Sequence, residues 1–533
     1  MENQFLKTVL EAQENLAFTE NGAVSYKTSG SKLADQFGKA GSAFGRDIDL
    51  VFAEQEALWN ENPEMALRFP FYLRMITRKV KSNGASTETL QKGPGVRDEA
   101  FKRLLWIEKN HPDAFYRNLW VLPLVGSYKD IWTLLSMSEN PETNEYFKVL
   151  INGLNDPDAR DLVIKYMPRI RSNSKCSTDS AKKFNELAKS FSKALGFRNY
   201  EEYRKFKASG KAHIFQQLIT NRDFMHIDWS SIPGKALQNI VNSKFLPNHG
   251  IEESYMTWML DHDDIKYNGS PVEIMLGYRK SNSQSSSARK ISRLTADRQF
   301  NSLINKVRSD GKWDKNVLCG LDTSGSMTWV NLNSRGIQPL DVCLSLGVYF
   351  SELNTGTFHN HVAMFDDHSR MTTLSGTFSE KCDQLMRMSS GGGTNFQSLV
   401  DLICSTRKKH PEIPLEDFPT TLLVVSDMQF NSCSYYYPKS NVETSRAKLM
   451  EAFPKEWAEN FKFIWWNCVE RGQADVPATL DDKGSYMLSG YDGSIISLLT
   501  GMEQKAEDEN KVQPTMEDLI YEALNQEVLQ LVK

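Results

Sequence analysis

The chain has few features that would place it outside the cell or in a membrane. Its seven cysteines are an odd number, scattered at Cys176, Cys319, Cys343, Cys382, Cys404, Cys433 and Cys468. None sits in a CxxC pair, which argues against a disulfide framework and against a structural zinc knuckle. No apolar run approaches the ~20 residues that span a bilayer. The stretch MENQFLKTVLEAQENLAF lacks the basic and continuous apolar regions of a secretory leader. Neither GxxxxGK[ST] nor GxSxG occurs, so phosphate-loop and serine-hydrolase chemistry have no support. Excess charge is also missing, the net formal charge being −4 over 533 residues. These absences predict a soluble protein of a reducing, cytoplasmic compartment, with no membrane and no evident small-molecule substrate.

Apolar material is plentiful. The 11 Trp, 18 Tyr and 28 Phe exclude disorder as the main state. The length suggests two to four folded units at roughly 100–200 residues each. The small net charge hides a division. Residues 1–310 carry 44 Lys and Arg against 37 Asp and Glu, whereas residues 311–533 carry 19 against 30. A mildly basic first part beside an acidic second part suggests different partners for each.

Residues 1–270 read as nearly all helix. Glu99–Lys109, Ser180–Leu195 and Lys235–Lys244 place apolar residues at i, i+3, i+4 and i+7. Breaks fall at SNGAS (82–86), QKGPGVRD (91–98) and NGLNDPDARD (152–161). Many short helices without a heptad or a strict repeat suggest stacked helical hairpins of a solenoid, HEAT-like kind. The polar, Ser-rich YRKSNSQSSSARK (278–290) then reads as a linker or mobile loop. From about residue 311 apolar runs alternate with helical patterns. NVLCGLD (316–322), HVAMFD (361–366), TTLLVVSD (420–427) and FKFIWWNCV (461–469) read as strands. Between them LDVCLSLGVYFSEL (340–353), FSEKCDQLMRM (378–388) and FQSLVDLIC (396–404) read as helices. Continuous apolar strands alternating with helices predict a doubly wound α/β domain with a parallel, Rossmann-like sheet buried on both faces.

Ligands of such a sheet sit at the carboxyl ends of its strands. There the chain places Asp322-Thr323-Ser324-Gly325-Ser326-Met327, then Gly391-Gly392-Gly393-Thr394-Asn395, then Asp427. Asp322, Ser324, Ser326, Thr394 and Asp427 offer two carboxylates and three hydroxyls, a set suited to a hard divalent cation such as Mg2+ or Mn2+. Two negative charges only just balance such an ion. It would remain Lewis-acidic towards a further anionic ligand, a partner's Asp, Glu or phosphate.

The order DTSGSM, GGGTNF, VVSD resembles the von Willebrand factor A (VWA) domain with its metal-ion-dependent adhesion site. The resemblance covers roughly residues 311–500. It implies direct coordination by Asp322, Ser324 and Ser326, completed by Thr394 and Asp427 directly or through water, and a last strand and helix in YMLSGYDGSIISLL (486–499). The helical part resembles the TROVE module of the Ro autoantigen family. It is closer still to a TROVE-like family with a C-terminal A domain found in cells and viruses. The residues that carry this are NGAVSYKTSGSKLADQF (22–38), FYLRMITRKV (71–80), GVRDEA (95–100), LPLVGSYKDIWTLL (122–135), YMPRIRSN (166–173) and EEYRKF (201–206). Where that family usually has an arginine/glycine-rich stretch, this chain has TRKVKSNGASTETLQKGPGVRD. The implied organisation is a TROVE-like helical domain over 1–277, a linker and connecting helix over 278–310, a VWA-like domain over 311–505 and a C-terminal helix over 506–533.

The Ro resemblance implies binding of single-stranded ends of small non-coding or misfolded RNA. The basic candidates are Arg78, Lys79, Lys81, Arg97, Lys165, Arg169, Arg171, Lys175, Arg204 and Lys207. MPRIRSNSKCS mixes cations with hydroxyls and an amide, the groups that contact phosphates. Two lesser signals are His359, His361 and His368, expected on a surface loop, and Tyr435-Tyr436-Tyr437-Pro438, whose rings could stack bases. No positioned base accompanies the metal motif, so the expectation is a non-enzymatic RNA-binding or ribonucleoprotein scaffold that docks an acidic ligand through a cation, in the cytoplasm or within a viral particle if virus-encoded. The alternative is a metal-dependent protein–protein adaptor or viral-particle component that binds no RNA.

Overall fold

The structure, a computed structural model, describes residues 10–43, 45–81, 88–172, 176–210, 214–263, 265–281, 285–309, 316–328, 332, 336–389, 391–433, 439–470, 476–491, 495, 498–499, 501–502 and 513–533. The chain forms two compact units, each assembled from separate stretches. The first comprises Met1–Arg46, Thr77–Pro94 and Trp229–Ala523; the second comprises Asp47–Ile76, Gly95–Asp228 and Leu524–Lys533. The expected boundary near residue 277 thus falls inside the first unit. Among the described residues no helix is long and apolar enough to cross a membrane.

Among the described residues ten strands follow one another in chain order: β1 (Leu16–Phe18), β2 (Val24–Tyr26), β3 (Ile76–Lys81), β4 (Glu88–Pro94), β5 (Val317–Asp322), β6 (His361–Phe365), β7 (Ser369–Thr373), β8 (Thr421–Ser426), β9 (Lys462–Asn467) and β10 (Ser485–Ser489). β5 to β10 form a six-stranded sheet in the order β10-β9-β8-β5-β6-β7. All its pairings are parallel except β6 with β7. β5 and β8 are buried along their whole length, as expected of central parallel strands covered on both faces. Trp465 and Trp466 of β9 are almost fully enclosed. Each removes roughly 150–250 Å² from water, worth about 4–6 kcal/mol as an upper bound at 25 cal/mol per Å².

Two of the helices of this sheet start at side-chain caps. Thr377 with Glu380 and Ser440 with Glu443 form reciprocal capping boxes on Phe378–Met388 and Asn441–Ala452. Helix Pro339–Leu353 lies close against β5, and a Cβ on its Gly347 would stand 2.5 Å from a methyl of Leu321. The parallel sheet and its helices follow the sequence pattern closely, whereas β7 is a short antiparallel edge strand of polar residues that carries no such pattern.

Two expectations are corrected. Residues 1–270 are not all helix, because β1 pairs with β2 in an antiparallel hairpin and β3 pairs with β4. Three-residue strands are too short to display alternation, and β3 (ITRKVK) is too polar to announce itself. The Ser-rich stretch is mostly helical rather than a loose linker. Pro271–Ser281 and Ser286–Arg308 are helices, and Ser285 caps the second by accepting from the Ala288 amide. Arg279 pairs with Asp341 at 2.5 Å and Arg293 with Asp383 at 2.6 Å, anchoring both helices to the sheet's own helices. Serine tracts favour caps as readily as loops; tertiary ion pairs decide between them here.

The described residues of the second unit are mainly helical, with α-helices from the 4-residue Leu122–Val125 to the 16-residue Asp179–Ala194. These unequal lengths explain why no repeat period is visible. Its centre is aromatic. Trp132, Phe147 and Phe191 touch edge to face or tilted, with ring centroids 4.9 to 6.2 Å apart.

Candidate metal centre and cationic surface

β5 lies where the strand order reverses, since its chain continues to β6 on one side and later returns as β8 on the other. The crevice at the carboxyl ends of β5 and β8 is therefore the expected ligand site of this topology. Parallel register puts Leu321 beside Val425, so Asp322 faces Ser426 and Asp427 follows directly. Asp322 is fully buried. Its carboxylate accepts from the Ser426 hydroxyl at 2.6 Å and from the Ser324 amide at 2.9 Å.

Three loops are knitted together around this pair. The Gly325 amide donates to the Gly392 carbonyl at 3.0 Å, and the Gly391 amide to the Thr323 carbonyl at 3.1 Å. Gly391 has a φ of +76° and Gly325 stands so near that a Cβ would lie 3.1 Å from the Gly391 carbonyl, so glycine is required at the first and tight at the second. Asn431 ties the third loop in: its side-chain oxygen accepts from the Thr394 amide at 3.2 Å, and its own amide donates to the Thr394 carbonyl at 2.9 Å. The structure thus gathers Asp322, Ser324, Ser326, Thr394 and Asp427 on three neighbouring loops. Asn431, Gln429 and Ser426 also belong to the surroundings. Only their proximity to VVSD pointed to them in sequence.

Two observations test whether these groups fit a divalent cation. Burial and then the neighbouring Asp427 charge push the Asp322 carboxyl up to about 7, so this pocket holds two carboxylates that a cation would relieve. The hydroxyl oxygens of Ser324 and Ser326 are 3.1 Å apart. Adjacent ligands of an octahedral ion with bonds of about 2.1 Å are separated by about 3 Å. The spacing of these two hydroxyls and the charge of the two carboxylates are those a hard divalent cation such as Mg2+ or Mn2+ would take. Among the described residues no three His, Cys, Asp or Glu side chains converge into a metal site, and this site draws most of its oxygens from hydroxyls. His359 and His361 are half-buried and contact carbonyls of Asn354 and His359 respectively through ring nitrogens; His361 opens β6 rather than lying on a surface loop, and His368 is exposed between β6 and β7.

The basic candidates separate. Arg78 and Lys79 lie on β3 in the first unit, whereas Arg97, Arg169, Arg171 and Arg204 belong to the second. Nothing is described of the Lys81 side chain, and Lys175 and Tyr435 to Pro438 lie outside the described residues. Arg97 is committed to the fold. It pairs at 3.0 Å with Asp130, which is fully buried and also takes Arg74 at 2.7 Å and the Ser127 amide at 2.8 Å. FYLRM, GVRDEA and GSYKD, separate in sequence, therefore meet at a single carboxylate. Gly126 is part of it, because a Cβ there would run into Asp130 Oδ2.

The YMPRIRSN and EEYRKF segments come together differently. Tyr203 donates to the Pro168 carbonyl at 2.8 Å, Arg204 Nε to the Ile170 carbonyl at 3.5 Å, and Lys207 Nζ to the Ile164 carbonyl at 3.0 Å. Asn185 bonds the Arg171 backbone in both directions. Lys165, Arg169, Arg171 and Arg204 are exposed and form no ion pair among the described residues. Burial first, and the Arg169 charge second, lower the Lys207 ammonium to about 8. A face of this kind suits a polyanion.

Comparison with known proteins adds no activity. Residues 316–529 match a domain of unknown function, DUF7788. The chain is also similar to "Uncharacterized protein L728" of Acanthamoeba polyphaga mimivirus, with 23% identity over 525 residues, or 92% of this chain and 85% of that protein. The match to DUF7788 takes in the whole six-stranded sheet and every residue of the candidate metal centre.

Proposed function

We propose that this protein is a non-enzymatic scaffold with two binding surfaces. Its sheet-bearing unit is read as a VWA-like domain that docks a carboxylate- or phosphate-bearing ligand through Mg2+ or Mn2+. Its helical unit is read as a TROVE-like module that holds single-stranded RNA. The observation that carries the first reading is the meeting of Asp322, Ser324, Ser326, Thr394 and Asp427 at the switch point of the sheet. Two carboxylates and three hydroxyls leave the cation with unfilled affinity for an anionic group, and neutral hydroxyl ligands keep it electrophilic. The RNA reading is supported by the exposed cations Lys165, Arg169, Arg171 and Arg204.

Saturating Mg2+, at about 100 times its Kd, should stabilise the fold by about 2.7 kcal/mol, and EDTA should remove that gain. Asp322→Ala should abolish the response. A Mg2+ shift that survives Asp322→Ala would refute the metal assignment. A second reading, a metal-dependent protein–protein adaptor without RNA, is favoured by the commitment of Arg97 to Asp130, which removes one cation from the expected RNA surface. The mimivirus relative is compatible with such a role in a viral particle. Salt-dependent binding of a single-stranded RNA separates the two readings, because phosphate contacts weaken steeply with ionic strength.

A further inference from the structure

The loop that follows β8 is held partly by its own bonds, the Met428 backbone amide donating to Ser426 Oγ at 3.0 Å, and partly from outside. Met428 sits in the left-handed region at φ +62°, a conformation costly for a side chain with a Cβ and kept only where its surroundings enforce it. The outside contacts, on Gln429 and Phe430 directly after it, come from the tip of the β1–β2 hairpin, some four hundred residues away in sequence. Thr19 Oγ1 donates to the Phe430 carbonyl at 2.7 Å, and the Glu20 amide donates to Gln429 Oε1 at 2.8 Å. Asn21 Nδ2 donates to the Gln429 carbonyl at 2.6 Å. The Ser432 amide donates to the Asn21 carbonyl at 3.3 Å, and Gly22 forms a bridge with Asn431. Thr19, Gln429 and Phe430 are buried by this packing.

The same loop carries the two supports of the candidate ligands. The Gln429 backbone amide donates to Asp427 Oδ1 at 3.2 Å, and Asn431 holds Thr394 from both sides. Every link from hairpin to candidate ligand is thus one residue long: Glu20 to Gln429 to Asp427, and Gly22 to Asn431 to Thr394. We infer that the N-terminal hairpin seats this loop, that Gln429 and Asn431 are positioning residues for Thr394 and Asp427, and that cation affinity depends on whether the hairpin is docked. The inference rests on the metal reading above and names a control of that site. A partner or modification that lifted residues 19–22 would release the cation, and with it any ligand docked there, without touching Asp322 or its serines.

The test uses the full chain and Mn2+ alone as probe, with binding followed by water-proton relaxation, which also reports how many waters remain on the bound ion. Asn431→Ala removes the side-chain oxygen on the Thr394 amide, whereas Gln429→Ala keeps its backbone amide on Asp427 and, like Thr19→Val, removes a bond between loop and hairpin. Each is expected to weaken Mn2+ binding about tenfold, the ordinary effect of disturbing a group that orients a metal ligand. Each should also raise the number of bound waters as Thr394 or Asp427 withdraws, a change that simple loss of stability would not produce. Thr19→Val alters only the hairpin, so it carries the test if Asn431→Ala fails to fold. Wild-type affinity and hydration in Gln429→Ala and Thr19→Val, with binding abolished by Asp322→Ala, would overturn the inference and leave the metal site standing. Unchanged binding in Asp322→Ala would overturn the site itself, and the inference with it.

Discussion

Asp130→Asn changes no volume and removes one charge, and the structure predicts a large effect from it. Oδ2 of Asp130 accepts from Arg74 Nε at 2.9 Å and from the Ser127 amide at 2.8 Å, and pairs with Arg74 Nη2 at 2.7 Å; Oδ1 faces Arg97 Nε at 3.0 Å. An asparagine has a single carbonyl oxygen and an NH2 that can only donate. With its oxygen towards Arg74, the NH2 meets the Arg97 guanidinium. Turned round, it meets Arg74 and the Ser127 amide. Both orientations set donor against donor, and Arg74, only 3% exposed, loses its counter-charge. Breaking a buried pair in this way costs about 3–5 kcal/mol. Denaturant unfolding, with hydrogen exchange of Tyr128–Met137 as the local reporter, measures it. The double variant Arg74→Met/Asp130→Asn should recover part of the loss, because the uncompensated cation is gone. A loss below about 1 kcal/mol in Asp130→Asn would refute the account of Asp130 as the hub on which the three motifs converge.

Three further outcomes follow from the same geometry. Arg97→Ala should lower stability by about 1 kcal/mol or less, since its side chain is 44% exposed and its pairing is partly screened, and should leave RNA affinity unchanged in a filter-binding assay. Arg169→Ala with Arg171→Ala should weaken single-stranded RNA and reduce the slope of log affinity against log salt by about 1.4, the value for two phosphate contacts; an unchanged slope would refute the cationic face. Because the folded Lys207 ammonium titrates near 8, below its unfolded value, its charge is lost as pH rises through about 8. RNA affinity should therefore fall between pH 7 and 9 while the fold gains stability towards pH 10.5, and Lys207→Met should flatten both trends.

The α/β part was largely legible because its signals are local. β5, β8 and β9 are buried on both faces and so read as unbroken apolar runs, and the segments between them carry helical patterns. The order of DTSGS, GGGTN and VVSD gave the candidate ligands before any geometry, since doubly wound topology brings strand ends to one crevice. The hairpins of the first part were not legible. Three residues cannot show an alternation of period two, and the polarity of β3 conceals its pairing.

What the sequence alone determined is the chemistry on offer: which strands are buried and which oxygens cluster at their ends. What only the tertiary structure decided is which charges serve the fold and which remain free to bind. Arg97 and Arg169 look alike in sequence. One is paired with the buried Asp130, the other stands exposed beside Lys207, because pairing depends on the distance between elements remote in the chain. The contacts of residues 19–22 with the loop after β8 have the same origin. Hydrogen bonds between side chains and backbone of segments some four hundred residues apart leave no trace in either segment's composition.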